Sequence, residues 1–307
     1  MMMRSGVRTE FAAVLAAMVG LTGPATAGEA PQVYPTAQDA LEAMVAALTA
    51  SDPSSAVLEV FGTEAADFLS TGDPLRDQLN RLELLAIHAE GFRFQPDGAD
   101  GLIVLLGAEG WPFPIPLSRS ADGWAFDVEA GRDEVHHRRV GVNELDVIDF
   151  LRAYVDIQAA YRLVDHDGDG VMEFAASFLS SSDGRDGLVW ADPDSPLGVR
   201  IARASLDGYS DGQQDVAPEP FGGYYYRILT GQSDNAPGGE IDYIMGGNMI
   251  AGHAVIAVPS DYGTTGFHSF MVAENGVVLE ADLGEDSLEK VFAMTRYDPG
   301  PDWSAVD

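Results

Sequence analysis

The chain has 307 residues, with 17 basic against 49 acidic side chains and a formal net charge of −32 at pH 7. That excess repels phosphate-rich nucleic acid and anionic lipid, so neither is an expected partner, whereas cations and basic proteins are favoured. The absence of cysteine excludes disulfides, a thiol nucleophile and a lipid anchor on an N-terminal cysteine.

The first 27 residues combine Arg4 and Arg8, a short apolar run from Phe11 to Leu21, and Ala25-Thr26-Ala27. This is the three-part pattern of a secretory signal peptide, with cleavage expected after Ala27 and export to the periplasm or beyond. Removal of Arg4, Arg8 and Glu10 takes the formal charge from −32 to −33. No later stretch reaches transmembrane length, so no membrane span is expected after processing.

Residues 28–139 read as one α+β domain. Thr36 with Asp39 forms a capping box, and Leu41, Met44, Val45 and Leu48 give a helical stripe. A short second helix is expected up to Gly62. A third places Leu75, Leu79, Leu82 and Ala86 on one face. From Phe92 the texture becomes short β-type runs separated by turns, which predicts an antiparallel meander. Pro112, Pro114 and Pro116 alternate along one of these runs, so their missing N–H groups are expected to close one strand edge. Trp111 and Trp124 are candidates for an aromatic binding groove.

The segment around His136, His137, Arg138 and Arg139 reads as a junction rather than a metal site, because no third ligand stands nearby. The second domain, 140–307, is expected to open with a helix capped by Asn143 and apolar on two faces: Leu145, Ile148, Leu151 and Val155 on one, Val147, Phe150, Tyr154, Ile157 and Tyr161 on the other. A helical turn is expected after Glu173, then strands from Tyr224 onward and a loosely attached tail. Tyr224 and Tyr226 share one strand face and are candidates for a carbohydrate or peptide platform.

The stretch DHDGDGVMEF follows the helix. Asp165, Asp167, Asp169, Gly170, the Val171 carbonyl and Glu173 match positions one, three, five, six, seven and nine of an EF-hand loop, which points to calcium as the one candidate cofactor. Position twelve, where a bidentate glutamate belongs, is Ala176. A remote carboxylate is the expected completion. The alternative is a polar turn in which Asp and Gly accommodate left-handed backbone.

In order and spacing, GWPFPIPL, GWAFD, RRVGVNEL, DGLVW, SPLG, GYYYRILTGQ, APGG, VPSDYG and GVVLEADLG resemble an uncharacterised family of exported bacterial proteins, the domain of unknown function 2950. That resemblance implies an envelope location and no activity. The order of a long helix, the DGDGV turn and the strands beyond Gly222 also resembles the globular part of type IV pilins and pseudopilins, which implies a helix lying across a small antiparallel sheet. The first domain is similar in pattern to the cone-shaped fold of nuclear transport factor 2.

No nucleophile elbow, zinc-protease motif, phosphate loop or dinucleotide fingerprint is present. His268 beside Ser269 forms no dyad if both lie on a strand. The reading is a non-enzymatic binding or structural module of the envelope, its partner an unidentified envelope protein or polymer. The alternatives are a hydrolase acting on an envelope polymer through acidic residues and an accessory component of a secretion or pilus system.

Overall fold

A computed structural model describes residues 30–70, 74–181, 184–210 and 215–306; the stretch 1–27, expected to be a signal peptide, lies outside them. The protein is α+β, built from helices and antiparallel sheets, and divides into two compact units between Val142 and Asn143.

In the first unit, helix α1 (Ala37–Leu48) starts at the Thr36–Asp39 capping box, and α2 (Pro53–Phe61) starts at Asp52 and ends at Gly62. Gly62 has φ +82°, a conformation that a Cβ would strain. Helix α3 spans Pro74–Ala89. Strands β1 (Phe92–Asp97), β2 (Gly101–Leu106), β3 (Trp111–Pro112), β4 (Leu117–Arg119) and β5 (Trp124–Phe126) form an antiparallel sheet ordered β1-β2-β4-β5, with β3 also on β2. Phe61 packs on Phe113 and Phe126 at centroid distances of 6.4 and 4.6 Å, joining α2 to the sheet.

Two expectations for this unit are corrected. The proline run is two short strands, not one. Between the pairs Leu105–Pro112 and Leu102–Leu117, β2 advances three residues (105 to 102) while its partner uses five (112 to 117). The surplus bulges out at Pro114–Pro116, where two N–H groups are missing, and the edge beyond stays open and takes β5. On α3, Leu75, Leu79 and Leu82 are exposed, while Asp77, Asn80, Leu84 and Ile87 are buried. The stripe chosen from apolarity alone faces solvent, because the neighbouring polar stripe holds the interior hydrogen bond from Ser70 to Asp77.

Helix α4 runs from Val128 to Tyr161. The expected junction is therefore helical: Asp127 Oδ1 accepts from Ala130 N at its start, and Asn143 lies inside the helix instead of capping it. Gly131 fits here because a Cβ would stand 2.7 Å from Ile115 Cγ1. His136 and His137 are neighbours on this helix, and Arg138 pairs with Glu134 and Trp111.

Residues 143–161 of α4 belong to the second unit and bury one face only, formed by Val147, Ile148, Leu151, Tyr154, Gln158 and Tyr161; Leu145 is exposed, so the two-faced burial expected of this helix is not found. Helix α5 is short (Val199–Arg203), followed by the ladder of β6 (Tyr209–Ser210) and β7 (Asp215–Val216). The central sheet joins β8 (Tyr224–Leu229), β13 (Ala254–Pro259), β14 (Ser269–Ala273), β15 (Leu279–Ala281) and β17 (Ser304–Ala305), all antiparallel neighbours. All six residues of β13 are buried, so both faces of the sheet are covered. Smaller ladders pair β9 (Gly231–Gln232) with β10 (Ile241–Asp242) and β16 (Arg296–Tyr297), and β11 (Ile244–Met245) with β12 (Asn248–Met249). Helix α6 (Ser287–Ala293) lies against β13.

The tail is not loose: β16 and β17 hydrogen-bond into two sheets, and Trp303 packs on the core. Nor is there a helix after Glu173. Phe174 and Leu179 form bridges to Met249 and Val189, extended pairings that take the backbone groups a helix would use.

His253 is buried at 1% exposure between Tyr154 and Phe174, its Nδ1 without a partner. Burial, then the positive charge of Arg162, pushes its pKa down from 6.5 to about 4. With the folded value below the unfolded one, the stability conferred by the neutral ring is complete above about pH 6.5 and is lost as pH falls through about 4, roughly 3 kcal/mol in all. Urea unfolding of His253→Leu should therefore lose less stability than wild type between about pH 7 and pH 4; equal losses would contradict this account. For α3, Leu84→Ala should cost about 2–4 kcal/mol and Leu82→Ala less than about 1, measured by denaturant titration. The reverse order would overturn the assignment of its buried face.

Candidate functional site

Helix α4 unwinds in a tightened last turn, with Leu163 N donating to Ala160 O and Val164 N to Tyr161 O. The acidic loop follows at once. Asp165 accepts from Gly168 N at 2.7 Å with one carboxylate oxygen and from Gly170 N at 3.0 Å with the other. Asp167 Oδ1 accepts from Asp169 N, and Asp169 Oδ1 from Val171 N. Gly168 and Gly170 take φ of +79° and +89°, so the two glycines allow the chain to wrap around the carboxylates. The hydrogen bond from Gly168, then that from Gly170, holds the Asp165 pKa below the usual carboxylate value.

One oxygen each from Asp165, Asp167 and Asp169 lies within 4.8 Å of the other two. Calcium binds oxygens at ~2.3–2.6 Å, so two ligands of one ion stand no more than ~5 Å apart, and this spacing fits. Glu173 is close enough for the three aspartates to raise its pKa, although burial is the larger cause. It accepts from Met249 N at 2.9 Å with Oε2. Val171 is held in the loop by its N–H bond to Asp169 Oδ1.

The path of the chain accounts for Ala176 at position twelve. Gln158, fully buried in α4, donates to Ala175 O and accepts from Ala175 N, both at 2.9 Å, and also donates to Tyr154 OH. This clamp, with the Phe174–Met249 bridge, carries the backbone inward immediately after Glu173. Ala176 is therefore part of the path leaving the loop. The distant side chain that reaches the loop is Asn248, whose amide Nδ2 donates to Asp169 Oδ2, a hydrogen-bond donor where a remote carboxylate was expected. Asn248 sits 79 positions away. Its only sequence signal is a Gly-Gly-Asn turn, which says nothing about what the turn meets.

The base of the loop is buttressed. The His166 ring stacks on Tyr161 at 4.1 Å and lies 5.7 Å from Trp190. Arg185 covers Trp190 and pairs with Asp192 and Asp194, while Tyr161 OH donates to Arg185 O at 2.7 Å.

The aromatic candidates are dispersed. Tyr224 and Tyr226 are core residues at 0% and 1% exposure, their hydroxyls donating to His268 O and Phe221 O. Burial raises both phenol pKa values. They form no surface platform. Trp111 pairs opposite Leu106, while Trp124 pairs opposite Arg119, whose N–H reaches Asp100 O. Six residues of β2 direction separate the two levels, roughly 20 Å at the usual strand rise, so the two indoles share no groove.

His268 pairs with Glu144, whose Oε1 also accepts from Phe267 N and His268 N. Ser269 points the other way and is fully buried. A cleft of about 110 Å³ lies among Gln232, Tyr243, Glu274, Asn275 and Tyr297. Its one carboxylate, Glu274, faces Arg162 at 3.9 Å, whereas glycoside hydrolysis uses a carboxyl pair. Among the described residues, no helix is long and apolar enough to cross a membrane.

Fold and site together define an α+β protein of two units whose second unit carries an acidic, glycine-wrapped loop at the end of a helix. The chain belongs to the family described as protein of unknown function (DUF2950), matched over residues 31–306. No curated protein and no solved structure matches it.

The Gln158→Leu substitution would leave the Ala175 N–H, the Ala175 C=O and the Tyr154 hydroxyl without their buried partner. A loss of about 2–4 kcal/mol is expected, with faster hydrogen exchange at the Ala175 amide. Unchanged exchange at Ala175 would show that the clamp does not hold the chain.

Proposed function

We propose that this is an exported protein of the bacterial envelope, periplasmic or secreted, which acts by binding rather than by catalysis, and whose Asp165–Glu173 loop takes a calcium ion. The observation that carries the reading is the convergence of one oxygen each from Asp165, Asp167 and Asp169 within 4.8 Å. Three carboxylates this close repel one another unless a cation neutralises them. In this reading Glu173 and Asn248 would add ligands, the Asn248 amide turning its oxygen toward the ion in place of its N–H bond to Asp169. A hard, all-oxygen set of this kind suits calcium, which tolerates irregular coordination, better than magnesium, which demands a near-ideal octahedron.

The ion's role in this reading is structural. It would join the end of α4 to the β11–β12 hairpin through Asp169 and Asn248, two segments far apart in sequence. A helix beside an antiparallel sheet in the second unit supports the pilin likeness at that coarse level, and filament assembly is no part of the proposal.

Calorimetry on chelated protein tests the reading. An incomplete ligand set predicts a dissociation constant of ~0.1–1 mM, the range of extracellular calcium modules. At ten millimolar calcium the melting temperature should rise by a few degrees. The Asp167→Asn and Asp169→Asn variants should lose that rise, while magnesium at the same concentration should give little. Absence of heat and of any melting shift at millimolar calcium would end the proposal.

A further inference from the structure

We infer that the exposed apolar side chains beside the acidic loop form a docking surface for a cationic amphipathic segment of another protein. Leu163 (72% exposed), Val164 (53%), Met172 (57%), Ile244 (38%), Met245 (57%) and Ile250 (39%) all stand in solvent. Four of them are as exposed as ordinary surface polar residues. They lie on two short segments, 163–172 and 244–250, which are contiguous in space. Asn248 reaches Asp169, Met249 N reaches Glu173, and Met249 bridges Phe174. Apart from the leucine stripe of α3, the other large apolar side chains exposed among the described residues are scattered along the chain. Scattered exposure is ordinary, but exposed apolar side chains gathered on two adjoining segments beside a polar centre mark a contact surface.

The local structure holds this group in place. Between β11 and β12 the turn residues Gly246 and Gly247 both have positive φ, +67° and +108°, the geometry of a tight two-residue hairpin. Met245 is therefore fixed opposite Asn248, the residue tied to the loop. Two of the six side chains are methionines, which repack around varied apolar partners at low cost.

Charge selects the occupant. Asp165, Asp167 and Asp169 lie on the first of the two segments, on a chain whose acidic residues outnumber basic ones 49 to 17. A partner with leucine-like side chains on one face and lysine or arginine flanking them satisfies both features. An anionic lipid surface satisfies only the apolar one, and its phosphates meet repulsion over the whole protein. A divalent ion on three aspartates leaves the loop net negative, so the complementarity persists in the ion-bound state. The proposal names the partner class for the binding module above. It rests on that reading for binding, and not on calcium.

The test uses the full mature chain and a synthetic twenty-residue leucine–lysine amphipathic helix, followed by fluorescence anisotropy in calcium and in chelator. Wild type should bind this peptide at least ten times more tightly than a sequence-scrambled peptide of identical composition. A double substitution, Met172→Ser with Met245→Ser, should weaken binding about tenfold without lowering the melting temperature, since both residues are exposed. Asp167→Asn with Asp169→Asn should weaken it at low salt and much less at high salt. Equal affinity for the scrambled peptide, or no effect of the methionine substitutions, would overturn the proposal, because binding would then be diffuse attraction to an acidic surface. Methionine-dependent binding to phosphatidylglycerol vesicles with no binding to the peptide would also overturn it, in favour of a lipid surface. Peptide binding unaltered by chelator, with no heat on adding calcium, would sink the calcium reading alone.

Discussion

The buried carboxamide of Gln158 decides where the chain goes after its longest helix. It has no exposure, and its oxygen and nitrogen are used on Ala175 N and Ala175 O as a strand partner would use them. An amide buried this deeply without partners would cost more than the clamp contributes, so the geometry is self-enforcing: the helix face and residue 175 stay together or both are destabilised. With Ala175 held, Phe174 is delivered to the core beside His253, Glu173 meets Met249, and the acidic loop is closed at both ends. The β11–β12 hairpin then meets the loop through backbone and side-chain bonds.

That arrangement concentrates like charge on purpose-shaped backbone. Each aspartate of the loop accepts at least one backbone N–H, and Asp165 accepts two. These bonds offset part of the mutual repulsion, and those from Gly168 and Gly170 hold the Asp165 pKa below the usual carboxylate value. The site follows from a tension between charges that favour separation and backbone bonds that hold them close. An added cation or a basic partner relieves that tension from outside.

The sequence showed some of this directly and misled on the rest for physical reasons. The capping box at Thr36, the stop at Gly62 and the calcium-like spacing from Asp165 to Glu173 are local chemistry, and local chemistry is legible in a single chain. The burial of α3 was not, because Asp77 and Asn80 are interior polar residues while three leucines face solvent, the opposite of what periodicity assumes. The first half of α4 was hidden by Gly131 and Gly141, which lower helix propensity, and by a histidine and arginine cluster that imitates a junction. Gly131 is needed there for contact with Ile115, a reason that lies in the partner strand. Tyr224 and Tyr226 looked like binding aromatics because alternation reveals which residues share a face but not which face is inside.

By itself the sequence determined the acidic charge, the absence of disulfides, the α+β class, the family and the composition of the loop, since each depends on residue type and short spacing. Only the tertiary structure decided that Asn248 joins that loop, that Trp111 and Trp124 stand far apart, and that the segment 244–250 comes to lie against the loop of three aspartates. Those facts join residues as many as 79 positions apart. Such pairings arise from strand register and from the backbone groups left unsatisfied elsewhere, quantities that exist only once the chain has closed on itself.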